Sequence, residues 1–86
     1  MRGAARKGQD IAGGVIIAGS PDVIVNGTPQ ARIGDAVQGH GPAAHAAPVM
    51  AQGSSDVIVN GIPACRLGDP ATCGDTTSGS PDVFIN

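Results

Sequence analysis

With 86 residues, 14 glycines, 7 prolines and a formal net charge of −2, the chain excludes several protein classes at once. Its glycine and proline density rules out long helices and favours short strands joined by tight turns. A single aromatic side chain, Phe84, excludes a base-stacking surface, and the charge gives no electrostatic reason to expect nucleic acid.

A chain this short supports one small domain, residues 1–86, with an interior built from Val, Ile and Ala. Its first residues, MRGAARK, are basic and precede a mildly apolar stretch, IAGGVIIAGS. That order resembles a signal peptide, but Gln9 and Asp10 interrupt the join and two glycines break the apolar part, so no cleaved leader is expected. No stretch approaches the length of a transmembrane helix.

Residues 19–27, GSPDVIVNG, alternate modestly in polarity and end in Asn-Gly, a strong hairpin signal. They continue as GTPQARIGD, read as a return strand, to Asp35. The pattern repeats in residues 53–69 as GSSDVIVNG and GIPACRLGD, and starts a third time as GSPDVFIN in residues 79–86. The continuation that the third copy lacks stands at the other end of the chain. In residues 2–9, RGAARKGQ, Ala5-Arg6 aligns with Ala31-Arg32 and Cys65-Arg66, and Gly8-Gln9 falls on Gly34-Asp35 and Gly68-Asp69. Three full units therefore exist only if the two ends of the chain pair. An open solenoid would instead need capping repeats. The expected fold is all-β: a pseudo-threefold cone or pyramid of three short β-hairpins, closed by pairing of the N- and C-terminal segments. A flat six-stranded barrel is the alternative, and Gly and Pro at each corner favour the taper. Arg6, Arg32 and Arg66 recur in register, as do Asp22, Asp56 and Asp82, and pairing between neighbouring units is expected of them.

The symmetry breaks in the loops. From the glycine of the GD position to the next GS, the first and third loops take 11 residues (8 to 19 and 68 to 79), whereas the second takes 19 (34 to 53). Those eight additional residues lie in VQGHGPAAHAAPVM, which holds His40 and His45, and the third loop holds Cys73. Equivalent loops of a threefold cone converge on its axis, so His40 and Cys73 should meet there, with His45 folding back from the insertion. Two imidazoles and a thiolate suit a divalent metal, zinc in a closed tetrahedral site before iron. The fourth ligand stays open between Asp10, a water and a backbone oxygen. Cys65 aligns with Ala5 and Ala31 and reads as a buried, inert thiol, with a Cys65–Cys73 disulfide as the alternative.

Units of the form GS-x-DV-x-VNG-x-P-x-AR-x-GD, closing end to end over essentially the whole chain, resemble the PAAR-repeat proteins; residues 19–35 lie close to that family's central pattern. The resemblance implies a zinc-stabilised cone, present in one copy on a trimeric β-helical spike. Such tips sharpen the piercing end of contractile injection machines, in type VI secretion systems or contractile phage tails. It further implies transient contact with a target membrane and the possibility of effector cargo. An enzyme is not expected, because a zinc hydrolase needs an open coordination site, a general base and a pocket, and an 86-residue cone with one aromatic residue offers no aromatic pocket. The protein would stay cytoplasmic until assembled on the particle or would belong to a virion tail. The family's zinc is usually held by three histidines and a cysteine; His40, His45 and Cys73 match, while Ala12 or Gly13 stands where a first-loop histidine is expected. No toxin domain is expected in these 86 residues. A free metal-binding module, a store or a sensor, is the alternative function.

Overall fold

The computed structural model describes all 86 residues, Met1–Asn86. Eight two-residue strands pair as four antiparallel ribbons: β1 (Arg2–Gly3) with β8 (Phe84–Ile85), β2 (Ile11–Ala12) with β3 (Gly14–Val15), β4 (Ile24–Val25) with β5 (Thr28–Pro29), and β6 (Ile58–Val59) with β7 (Ile62–Pro63). The Asn-Gly pairs between β4 and β5 and between β6 and β7 form the expected turns. Asn26 and Asn60 have φ of 54° and 56°, and Gly27 and Gly61 have 78° and 77°, so both central residues are left-handed as a type I′ turn requires. The third hairpin is assembled from the two ends of the chain. Arg2 faces Ile85 and Gly3 faces Phe84, in the register by which Thr28 faces Val25 and Pro29 faces Ile24. Ring closure by the terminal segments is therefore observed.

The return segments do not continue their own hairpins. Each crosses to the next unit through an isolated bridge: Arg6 with Gln30, Arg32 with Ala64, and Ala4 with Arg66. At the centre, the Ala31 amide donates to the Ala5 carbonyl (2.9 Å), Cys65 to Ala31 (2.9 Å) and Ala5 to Cys65 (3.0 Å), a closed three-membered ring of hydrogen bonds. This ring fixes the pseudo-threefold axis and excludes a flat barrel. It also explains the small residues: Ala5, Ala31 and Cys65 are fully buried where three backbones meet. Gln30, also buried, donates its Nε2 to the carbonyls of Ala31 (2.8 Å) and Cys65 (2.9 Å), satisfying lone pairs that the ring leaves free. The molecule measures 32 × 23 × 22 Å, one long axis and two nearly equal short ones, as an elongated threefold object requires.

The arginine pairing differs from expectation. Each arginine binds the aspartate of its own GD turn through Nε and Nη2: Arg6 with Asp10, Arg32 with Asp35, and Arg66 with Asp69. The same carboxylates accept the arginine's own backbone N–H at 2.7–2.8 Å, because a tight turn brings the acid beneath the start of its segment. Arg6 is four residues from Asp10 where the other pairs are three apart. Asp10, and not Gln9, is thus the partner of Asp35 and Asp69 in the repeat, with Gln9 as one added turn residue. Asp22 and Asp82 bind the turn asparagine of the next unit: Asn60 Nδ2 donates to Asp22 (2.7 Å) and Asn26 Nδ2 to Asp82 (2.9 Å).

Above the ring a small core of Ala12, Ile16, Val37, Met50 and Ala71 joins Ala5, Ala31 and Cys65. The three loops link in turn, Ile17 to Ala36, Ala51 to Pro70 and Ser78 to Ile11, each an amide donating to the start of the next loop.

Candidate metal centre

Three loops leave this closed base, and their different sequences give them different ends. Residues 36–52 double back on themselves. The His40 amide donates to the His45 carbonyl (2.8 Å), and a single 3₁₀ turn, Ala43–His45, reverses the chain between them. Ala43 enters that turn at φ 56°, a conformation that costs a side-chain-bearing residue energy and is retained where the surroundings impose it. The reversal sets the two imidazoles edge to face, with centroids 4.8 Å apart. In the third loop Cys73 packs against the core, and Gly74, at φ 91°, turns the chain so that Asp75 comes back beside it.

His40, His45 and Cys73, which the sequence singles out, are brought together, and Asp75 lies with them. One ligand-capable atom from each falls within 4.8 Å of all the others. His45 Nδ1 and Asp75 Oδ2 are each 2.9 Å from His40 Nε2, and Cys73 Sγ is 3.8 Å from it. Asp75 Oδ2 is 3.4 Å from His45 Nδ1 and 3.6 Å from Cys73 Sγ. Four donors around one ion, at about 2.1 Å for nitrogen or oxygen and about 2.3 Å for sulfur, stand roughly 3.3–3.7 Å apart in a tetrahedron. The separations here run from 2.9 to 3.8 Å, with every pair within 4.8 Å, and so bracket that spacing.

The orientation of His40 suits a ligand. His40 Nδ1 lies 3.1 Å from the Gln38 carbonyl, a contact that places the proton on Nδ1 and turns the Nε2 lone pair to the cluster. One lone pair, or one N–H, cannot serve three neighbours, whereas a central cation serves all four donors. The Gln38 carbonyl, and after it Asp75, raises the His40 pKa; contact with His40 holds the Asp75 carboxyl below the ordinary aspartate range.

Asp10 is not part of this group. It is buried and bound by Arg6, with Ser78 donating to it at 2.9 Å, so the first loop supplies no ligand through that residue. Nor does Ala12, a buried core residue, or Gly13. Cys65 is buried and free, as is the half-buried Cys73, so the alternative disulfide is not formed. Burial pushes the Cys65 thiol up to about 12, the inert state its alignment with alanines predicts.

Asp75 is the residue that sequence reasoning missed. Its signal was the Cys-Gly-Asp spacing, in which a glycine lets the residues on either side face one point. With the geometry in place, comparison with known families finds that the chain matches the PAAR motif over residues 9–78. The search of curated proteins gives no match.

Proposed function

The chain belongs to the PAAR motif family, and on that premise we propose that it caps the blunt end of a trimeric β-helical spike in a contractile injection machine, one copy per trimer. In this reading the particle is a type VI secretion system or a contractile phage tail. The protein waits in the cytoplasm or is built into a virion tail, and then leads the spike through the target envelope.

The observation that carries the reading is the exposed base. Ile24, Ile58 and Phe84 stand at equivalent positions of β4, β6 and β8, each about half exposed at 55, 53 and 50%. Three apolar side chains related by a pseudo-threefold axis suit a partner with true threefold symmetry, and strands this short leave edges that a spike's own strands can extend. In the loops, a zinc ion held by His40, His45 and Cys73 together with their neighbourhood would tie the second loop to the third. Two imidazoles, a thiolate and a nearby carboxylate are zinc's customary donors, and the ion's part would be structural.

Co-expression with the trimeric spike of the same particle, followed by native mass spectrometry, tests the function. A complex of one tip and three spike chains is expected, and Ile24→Asp combined with Ile58→Asp should abolish it while the isolated protein stays folded. An equimolar complex, or none, would exclude the tip assignment.

A further inference from the structure

The first loop approaches the cluster without contributing to it. Gly13, at φ 82°, turns the β2–β3 ribbon so that its backbone faces His40 and Asp75. A Cβ at Gly13 would collide with Asp75 Oδ2 and with His40 Nε2, and one at Gly14 would meet the Gln38 carbonyl and His40 Nδ1. A side chain on the first loop and the Asp75 carboxylate therefore claim the same space.

Resting on the metal reading above, we infer that Asp75 is the fourth ligand, filling from the third loop the corner that the first loop leaves empty. The ion then bridges two loops. The second gives both imidazoles and the third gives the Cys73 thiolate and the Asp75 carboxylate, while Gly13 and Gly14 form a steric wall. Three features carry this. Asp75 Oδ2 stands 2.9, 3.4 and 3.6 Å from the other three donors, close enough for one ion to join all four. Gly74 is the turn that aims Cys73 and Asp75 at one point. The charge also balances: a divalent ion with one thiolate, one carboxylate and two neutral imidazoles is neutral, so a site at the surface carries no unpaired charge.

The alternative role for Asp75 is to orient the His40 ring through a hydrogen bond, and substitutions separate the two. Asp75→Asn keeps a hydrogen-bonding oxygen of the same size but ligates poorly, whereas Asp75→His restores a strong ligand. Affinity is read by titrating Co(II) and Zn(II) against a chromophoric chelator, and geometry by the cobalt d–d absorption and the thiolate-to-cobalt charge-transfer band. Wild type is expected to bind one ion with tetrahedral absorption. Asp75→Asn should weaken binding by more than about 100-fold, beyond the 10–100-fold typical of losing a residue that only orients a ligand. Asp75→His should stay within about 10-fold of wild type. A smaller loss in Asp75→Asn, or an Asp75→His protein as weak as Asp75→Asn, would overturn the inference. A wild type that binds no ion would instead overturn the metal reading itself. Circular dichroism of each variant without metal shows that it is folded before binding is scored.

Discussion

At the scale of single residues, the axis sets the strictest demand. Ala5, Ala31 and Cys65 touch through backbone bonds of 2.9–3.0 Å, which leaves a side chain no larger than a thiol room among them. Ala31→Leu is therefore expected to destabilise the fold by about 3 kcal/mol, the upper range for an overfilled core, because the ring cannot widen at one corner alone. For a chain of this size that lowers the melting temperature by roughly 12–24 °C. Cys65→Ala, which removes a buried sulfur and its 3.3 Å contact with the Gln52 carbonyl, should cost about 1 kcal/mol. Thermal unfolding by circular dichroism checks both, and equal effects would contradict the crowding argument. The same residues show what a sequence reveals at this scale. Alignment of Cys65 with two alanines identified a small buried slot, because identity of environment shows as identity of size. Asp75 carried no such mark, since an aspartate in a loop is most often solvated and only the turn at Gly74 gives it a partner.

Among the elements, the hairpins were legible from Asn-Gly, while the return strands were not. A segment such as ARIGD bonds to neighbouring units and to its own turn, and its pattern of small and charged residues reports those partners more than any alternation. The asparagines do more than turn the chain. Asn60 Oδ1 accepts from Ser20 (2.6 Å) and Arg32 (3.3 Å) while its Nδ2 donates to Asp22; Asn26 does the same with Ser80, Arg6 and Asp82. Each is a latch between two units. The third latch would join Asn86 to Ser54, Asp56 and Arg66, but Ser54 only accepts, from the Asp56 and Val57 amides, and no bond from Asn86 completes it. Asn60→Gly and Asn26→Gly, which keep the left-handed turn and delete the amide, should each cost about 1–2 kcal/mol, since the arginine and aspartate of the latch lose their bonds to it and the serine keeps only its aspartate acceptor. Asn86→Gly should cost less than about 0.5 kcal/mol. Denaturant midpoints of the three variants decide the matter. Equal losses would mean that the third latch closes in solution.

Across the whole molecule, closure was the most legible property, because two complete units and two complementary fragments admit only one circular arrangement. What alignment could not place was the offset at Gln9, which moved Asp10 from candidate ligand to buried partner of Arg6; a one-residue difference inside a turn leaves no trace until the bonds are seen. The geometry of closure gives a prediction of its own. In the two intact hairpins, paired residues Val25 and Thr28, and Val59 and Ile62, are separated by two turn residues, Asn-Gly. In the third, Ile85 pairs with Arg2, which places Asn86 and Met1 in those two turn positions. A peptide bond from Asn86 to residue 1, with Met1→Gly, would therefore restore a third Asn-Gly turn without moving either strand. A backbone-cyclised protein of this design should fold as the linear one does. Closing a loop of this length removes unfolded-state entropy worth up to about 4–5 kcal/mol by the polymer estimate, so its denaturation midpoint should rise well above that of the linear Met1→Gly chain. A circular permutant opened between Asn26 and Gly27 should fold with the stability of the linear protein, because it only exchanges one split hairpin for another. If cyclisation left the midpoint unchanged, the two ends would not be held in register in solution, and the ring would have to be maintained by the axis alone.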